Sequence, residues 1–266
     1  MISESALKHW MDNFYGYGSW NAKFWFVAYE AGGGDTPEEV AEKLEFFLNA
    51  HPSATEPTLC DIRELYKRQQ FRVEGPRAGK FDNLYEYRFG KNGMLSGVWK
   101  NLVSFVYGYN LREVPDFLDY QKKTFASGRN ESLIQLYPLP SPHNHAWYYS
   151  WLDMPQFGFL KTRKQYEDHV YPARIKVILE NITRFKPELV LMYGMNNINT
   201  LKSSVLEVFP GARFRMEKAV KLKLPQHHHA DLNGTKLVIT TQIPSLRHGR
   251  VETGFDWEEF GKAVRR

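Results

Sequence analysis

The sequence predicts an α/β fold built on a parallel sheet. Four short apolar runs, at 24–29, 133–137, 189–193 and 237–241, have the length and the aromatic and β-branched content of buried strands. Segments with helical apolar spacing separate these runs, and strands that alternate with helices form parallel sheets covered on both faces. We therefore expect a three-layer α/β/α sandwich with a central, mainly four-stranded parallel sheet, in a single domain over residues 1–266.

The first strand is followed by a loop suited to a ligand. Three glycines, Gly32 to Gly34, follow the apolar run 24–29, and their backbone can approach a ligand closely because they lack Cβ atoms. A helix then begins, with Thr36 as N-cap, Pro37 in the first turn and Glu39 completing a capping box. Ligands of parallel sheets bind beyond the carboxyl ends of the strands. The alternative is an ordinary strand-to-helix turn.

Further elements follow from apolar spacing and from turn residues. An amphipathic N-terminal helix carries Leu7 and Trp10 on its apolar face. A polar, glycine-rich connection is expected over 72–93. The remaining helices are predicted, in chain order, over 36–48, 60–71, 95–106, 172–186 and 198–206, and from Asp256 onward.

Composition restricts the class of protein. The chain of 266 residues is 42% hydrophobic, which is enough for a sizeable core, and no apolar run approaches the roughly 20 residues of a membrane span. Its single cysteine, Cys60, excludes an internal disulfide framework and an all-cysteine iron–sulfur site. The formal charge is 35 − 30 = +5, which permits an anionic partner. We expect a cytoplasmic monomer without a cofactor.

Five segments, in order, resemble the uracil-DNA glycosylase superfamily, most closely its bacterial Gly-Glu-Ala-Pro-Gly branch. Residues 26–35 are similar to the first motif of that branch, 87–95 to its Pro-Phe-Val-Gly stretch, and 133–140 to its mid-chain proline turn. Residues 186–194 are similar to its third strand, and 240–247 to its closing His-Pro-Ser motif. The resemblance covers roughly 24–250. It implies a uracil-DNA glycosylase-like fold and a DNA repair hydrolase that flips a damaged or deaminated base out of DNA and cleaves its N-glycosidic bond.

The chain departs from this branch at several positions. Tyr29 replaces the glycine that opens the first motif, Gly32 replaces its proline, and Ile243 stands where the histidine precedes Pro-Ser. The iron–sulfur cysteines are absent. A catalytically weak or inactive nucleic-acid or nucleotide binder of the same fold is therefore the alternative to a glycosylase.

Candidate site residues follow from what the reaction needs. A carboxylate supports the cationic sugar, donors face the leaving base, and an aromatic side chain stacks on it. The candidates are Glu30, Asp35 and His248 for catalysis, Phe89, Asn92, Gln135 and Gln242 for base binding, and Ser245, Leu246, Arg247 and Arg250 for DNA binding. The resemblance implies that Leu246 is the wedge that fills the gap left by the flipped base.

Structural roles are the alternatives for three of these residues. Glu30 is alternatively a carboxylate bonded to the N–H groups of its own loop, and Asp35 complements the charge of a helix end. Phe89 is alternatively a core residue.

Two other features carry weaker hypotheses. His227, His229 and Asp231 alternate, so an extended segment would place them on one face, where a metal-dependent hydrolase is conceivable. A solvated loop is the favoured interpretation, and we predict no metal. Basic groups at 161–164 and 213–223 suit phosphate contacts or simply a solvated surface.

Overall fold

The computed structural model describes residues 2–34, 36–70, 79–122, 130–141, 147–245 and 254–265. The α/β class is confirmed. Within these ranges the strands are β1 Phe14–Tyr17, β2 Phe24–Glu30, β3 Thr58–Cys60, β4 Glu131–Tyr137, β5 Leu189–Tyr193, β6 Arg215–Glu217, β7 His227–Leu232 and β8 Thr235–Ile239. The helices are α1 Glu4–Asn13, α2 Pro37–Ala50, α3 Ile62–Arg68, α4 Leu84–Phe89, α5 Gly97–Tyr109, α6 Phe117–Tyr120, α7 Arg163–Phe185, α8 Ile198–Val208 and α9 Trp257–Arg265. None of these helices combines the length and the apolar composition needed to cross a membrane.

All the described strands form one sheet, in the order β3-β1-β4-β2-β5-β8-β7-β6. The four predicted strands are its centre, where β2 is parallel to β4 and β5, and β5 is parallel to β8. The expectation of a mainly four-stranded sheet is wrong, because antiparallel pairings extend the centre on both sides, β1 to β4 and β7 to β8. The sheet is therefore mixed and has eight strands in the described residues.

The central strands are buried on both faces. Every residue of β4 is buried, as are Leu189 to Met192 of β5. Such double-sided burial places the apolar runs in the interior and leaves the strand ends as the accessible polar edges. The carboxyl ends of β2, β4 and β5 lie side by side because these three strands are parallel neighbours.

The helix after the first strand begins as predicted. The Thr36 hydroxyl accepts from the Glu39 backbone N–H at 3.2 Å, and Pro37 occupies the first turn. The polar connection 72–93 contains α4, which the sequence did not predict, while 71–78 lie outside the described residues. The last helix, α9, crosses α5 closely, since a Cβ on Gly261 would lie 2.0 Å from the Phe105 carbonyl oxygen.

The histidine run is a strand and not the predicted loop. It forms β7, between β8 and the edge strand β6. His227 is 3% exposed and its ring packs 4.8 Å from that of Phe260, whereas His229 faces Glu217 with 3.7 Å between Nε2 and Oε1. No group of three or more metal-binding side chains occurs in the part of the chain that the structure describes.

Candidate functional site

A cleft of about 1370 Å³ lies at the carboxyl ends of the central parallel strands. The walls come from β2, β4 and β5, from the glycine loop after β2, and from α2, α3 and α5. Its polar and aromatic lining residues include Glu30, Glu39, Lys43, Tyr66, Gln69, Trp99, Gln135 and Tyr193. This is the edge at which parallel sheets bind their ligands.

Two buried carboxamides line the cleft and have polar atoms without hydrogen-bond partners among the described residues. Gln69 is 1% exposed, and both its Nε2 and its Oε1 atoms lack a partner among the described residues. Gln135, in β4, is 5% exposed and its Oε1 is likewise unpaired. A buried polar group left unsatisfied destabilises a fold by roughly 1–3 kcal/mol. Such groups are rare in folded proteins, so a pair of them in one cleft indicates a ligand that completes their bonding.

Aromatic side chains give the cleft flat apolar walls. Trp99 of α5 is 8% exposed, and Tyr66 and Tyr193 come from α3 and from the end of β5. Burial raises the pKa of both Tyr66 and Tyr193, so these phenols stay neutral at physiological pH. The cleft thus combines planar apolar surface with hydroxyl and carboxamide groups.

The glycine loop closes over an ion pair. Gly33 and Gly34 have φ of +98° and +76°, in the left-handed region that favours glycine. The Gly34 backbone N–H donates to Glu39 Oε1 at 3.0 Å, and Lys43 Nζ donates to the same atom at 2.7 Å. The carboxylate bonded to its own loop is therefore Glu39, and Glu30 does not have that role.

Glu30 lies at the rim of the cleft and is held by an arginine. Arg163, in the first turn of α7, donates from Nη1 to Glu30 Oε2 at 2.7 Å and from Nη2 to Ser141 Oγ at 2.7 Å. The two charged side chains are 18% and 9% exposed. Burial raises the pKa of Glu30, and the nearby Arg163 guanidinium opposes that rise without cancelling it.

The structure brings together some of the predicted residues and separates others. Glu30 and Gln135 both line the cleft. Phe89, in α4, is 5% exposed and packs behind the lining residue Trp99 with 5.7 Å between ring centroids, so it is buried in the core and does not line the cleft.

The remaining predicted residues lie away from the cleft or beyond the described ranges. Asn92 is exposed and Ser245 half-buried, and neither lines the cleft. Gln242 donates from Nε2 to the Ile243 carbonyl at 3.1 Å and does not line it either. Outside the described residues lie Asp35, Leu246, Arg247, His248 and Arg250.

Ile243 lies against the turn that follows β5. Gly194, directly after β5, has φ of +68°, and a Cβ added to it would lie 3.2 Å from Ile243 Cγ1. The Ile243 side chain is 42% exposed. An apolar and partly exposed side chain therefore packs against the turn that follows β5.

Four residues that line the cleft or contact its rim were not predicted as site residues, for different reasons. Glu39 and Lys43 are four positions apart on a predicted helix, so their ion pair follows from the sequence. The hydrogen bond from the Gly34 N–H of the loop to Glu39 does not. Gln69 precedes 71–78 at the end of an ordinary amphipathic helix and carries no motif. Arg163 stood in a basic group interpreted as solvated or phosphate-binding, and its partner lies 133 positions away.

No protein-family model matches this sequence, and no curated protein matches it significantly. Interpretation of the cleft consequently depends on its own geometry and chemistry.

Proposed function

We propose that this protein binds DNA, takes an extruded nucleobase into the central cleft, and hydrolyses the N-glycosidic bond of a damaged or deaminated base. The observation that carries the proposal is the pair of unpaired buried carboxamides, Gln69 and Gln135, in an aromatic cleft. A carboxamide offers both a donor and an acceptor, which is what the edge of a base requires. The resemblance of the sequence to the uracil-DNA glycosylase superfamily, which implies the fold of that superfamily, also supports a base in DNA as the substrate.

Binding and chemistry would divide among the lining residues. A flipped base loses its stacking neighbours, and the walls formed by Trp99, Tyr66 and Tyr193 would replace them. Glu30 would stabilise the positive charge that develops on the sugar, or position the attacking water. Its raised pKa follows from burial, and the Arg163 contact helps to keep the carboxylate ionised.

A binder without cleavage is the second candidate. Two observations favour it: Glu30 is already neutralised by Arg163, and Ile243 supplies no proton to the departing base. The first candidate requires a second donor or a rearranged ion pair when DNA is bound. A monomeric, cytoplasmic protein fits either candidate. The buried free thiol of Cys60 is consistent with that location.

One experiment separates the candidates. Oligonucleotides carrying uracil, hypoxanthine, xanthine or a mismatch are incubated with the protein, abasic sites are scored, and binding is measured in parallel at low and moderate salt. Abasic sites at one modified base, absent with Q135L, support the glycosylase. Selective binding without abasic sites supports the binder. Binding that is absent at low salt, or unchanged between the two salt concentrations, contradicts both, because neutralised phosphates release counterions.

A further inference from the structure

Trp151 is the one exposed tryptophan of the protein. The sequence has seven, all at described positions, and Trp151 is 72% exposed. Trp10, Trp25, Trp99 and Trp257 are at most 8% exposed, and Trp20 and Trp147 are partly buried against the core. Trp151 is also the most exposed large apolar side chain in the described residues. Single exposed apolar residues are common on protein surfaces, so the aromatic neighbour and the position of Trp151, and not its exposure alone, indicate a partner surface.

The exposed ring belongs to a fixed turn. Residues Tyr148–Trp151 form one turn of 3₁₀ helix, and the ring of Tyr148 lies 5.5 Å from that of Trp151. Tyr149, in the same turn, is buried and donates its hydroxyl to the Pro140 carbonyl at 2.8 Å. The preceding Trp147 donates from Nε1 to the Leu160 carbonyl at 2.6 Å. An exposed tryptophan beside a half-buried tyrosine, on an anchored turn, is a preorganised surface, which loses little conformational entropy on binding.

The anchors of this turn are shared with the cleft. Pro140, which accepts from Tyr149, lines the cleft. The Arg163 guanidinium lies over the Trp147 ring at 5.4 Å and also binds Glu30 at the cleft rim. The turn and the cleft therefore form one continuous structure on the carboxyl side of the sheet. Lys161, exposed at the end of the next 3₁₀ segment, adds a positive charge on this side.

We infer that Trp151 and Tyr148 form a stacking surface for an unpaired base that flanks the base held in the cleft, so that the protein prefers single-stranded DNA. This inference rests on the proposed function. Aromatic side chains stack on any exposed base face, and bases inside a duplex have no free face to offer. Phosphates attract basic residues in both forms of DNA, and more strongly in the duplex, so the aromatic pair and not the charge would create the preference for single strands.

The test compares binding of labelled single-stranded and duplex DNA of one sequence, with and without a central uracil or hypoxanthine, by fluorescence anisotropy. The variants are W151A, W151F and, as a matched control, L111A, since Leu111 is 63% exposed on another surface. We expect W151A to weaken single-strand binding about tenfold, the effect of losing one stacked base, and duplex binding far less. W151F, which keeps a ring, should recover most of the affinity, and L111A should bind as the unaltered protein does.

Tryptophan fluorescence gives a second readout. Iodide quenches exposed indoles, so a single strand stacked on Trp151 should reduce quenching in the unaltered protein and not in W151F. Equal single-strand binding by W151A and the unaltered protein would overturn the inference. If Q135L loses selectivity for the modified base while W151A binds normally, the proposed function stands without it. Concentration-dependent self-association that W151A abolishes, with unchanged DNA binding, would assign the surface to a second copy of the chain instead.

Discussion

Arg163 Nη1 lies 2.7 Å from Glu30 Oε2, joining the first turn of α7 to the last residue of β2. The contact fixes the charge at the rim of the cleft. It also determines how that rim responds to pH, because the guanidinium is the main group that opposes the burial-driven rise in the pKa of Glu30.

Removal of the arginine should therefore destabilise the protein in a pH-dependent way. A raised carboxyl pKa means that the group's contribution to stability is full below its ordinary pKa and is lost as pH rises through the folded value. R163M enlarges that rise, so we expect a loss of about 3 kcal/mol in the free energy of unfolding at pH 8 and a smaller loss at pH 5. Urea denaturation at both pH values measures it. The double variant E30Q/R163M should lose this pH dependence; if the dependence persists, another group causes it.

Substitution of the carboxylate separates its chemical role from its structural one. E30Q keeps the shape of the side chain and removes only its charge. If Glu30 supports the reacting sugar, turnover should fall at least a hundredfold while DNA affinity changes little. Single-turnover cleavage and anisotropy measure the two quantities. Parallel losses of stability and turnover would leave Glu30 as the partner of Arg163 alone.

The two unpaired carboxamides should be dispensable for folding. Q69L and Q135L replace an unsatisfied polar group by an apolar one, so we expect an unchanged or higher melting temperature, together with loss of base-selective binding. Gln121 is the matched control, because it is 2% exposed but accepts from the Ser96 N–H and donates to the carbonyls of Arg88 and Met94. Q121L should lower stability by roughly 1–3 kcal/mol. Equal destabilisation by all three would mean that the cleft carboxamides are paired in solution.

A second buried carboxyl predicts a stability change near neutral pH. Glu131, at the start of β4, is 1% exposed, and burial raises its pKa to about 7 although the Tyr120 hydroxyl donates to it. Its contribution is full below the ordinary value of 4.5 and lost as pH rises through 7. E131Q should therefore be more stable than the unaltered protein at pH 8, by up to about 3 kcal/mol, and nearly equal at pH 4.5. Calorimetry across this range tests it, and equal stability at pH 8 would contradict it.

Introduction of a proton donor beside Gly194 should increase any cleavage under the proposed function. Ile243 is 42% exposed, so I243H should fold with little change in stability. A positioned general acid contributes roughly 10²–10⁴-fold to a rate, so we expect at least a tenfold faster appearance of abasic sites. I243L, which changes shape without adding a donor, is the control. An equal rate in the two variants would show that this position does not face the leaving base.

The sequence was sufficient for the centre of the fold because its signals are local. The apolar runs of β2, β4, β5 and β8 and the cap at Thr36 need no distant partner to be recognised. The outer strands were not predicted because they are short and depend on pairing with other segments, which a local pattern does not show. β1 contains Gly16 at φ of +131°, where a Cβ would lie 2.1 Å from the Leu133 carbonyl oxygen, and a glycine in so short a segment predicts a turn.

The candidate site was predictable only where it follows a strand end. Glu30 and Gln135 come from the central strands, so the parallel topology places them together. The sequence alone could not choose between the two roles considered for Phe89, because a buried aromatic residue and a stacking one have the same local pattern. Gln69 and Arg163 became visible only through burial and long-range contacts, which a single sequence does not record.

The position of β2 at the centre of the sheet determines when the fold can form during synthesis. Phe24 pairs with Glu131 on one side and with Leu189 on the other, so 131 − 24 = 107 and 189 − 24 = 165 residues must be added before each edge is covered. At roughly 5–20 residues per second, β2 is synthesised about 5–20 s before its partner β4 and about 8–30 s before its partner β5. Exposed strand edges promote aggregation during that interval. Until β4 is synthesised, β2 therefore has no strand of its own chain to cover either of its edges.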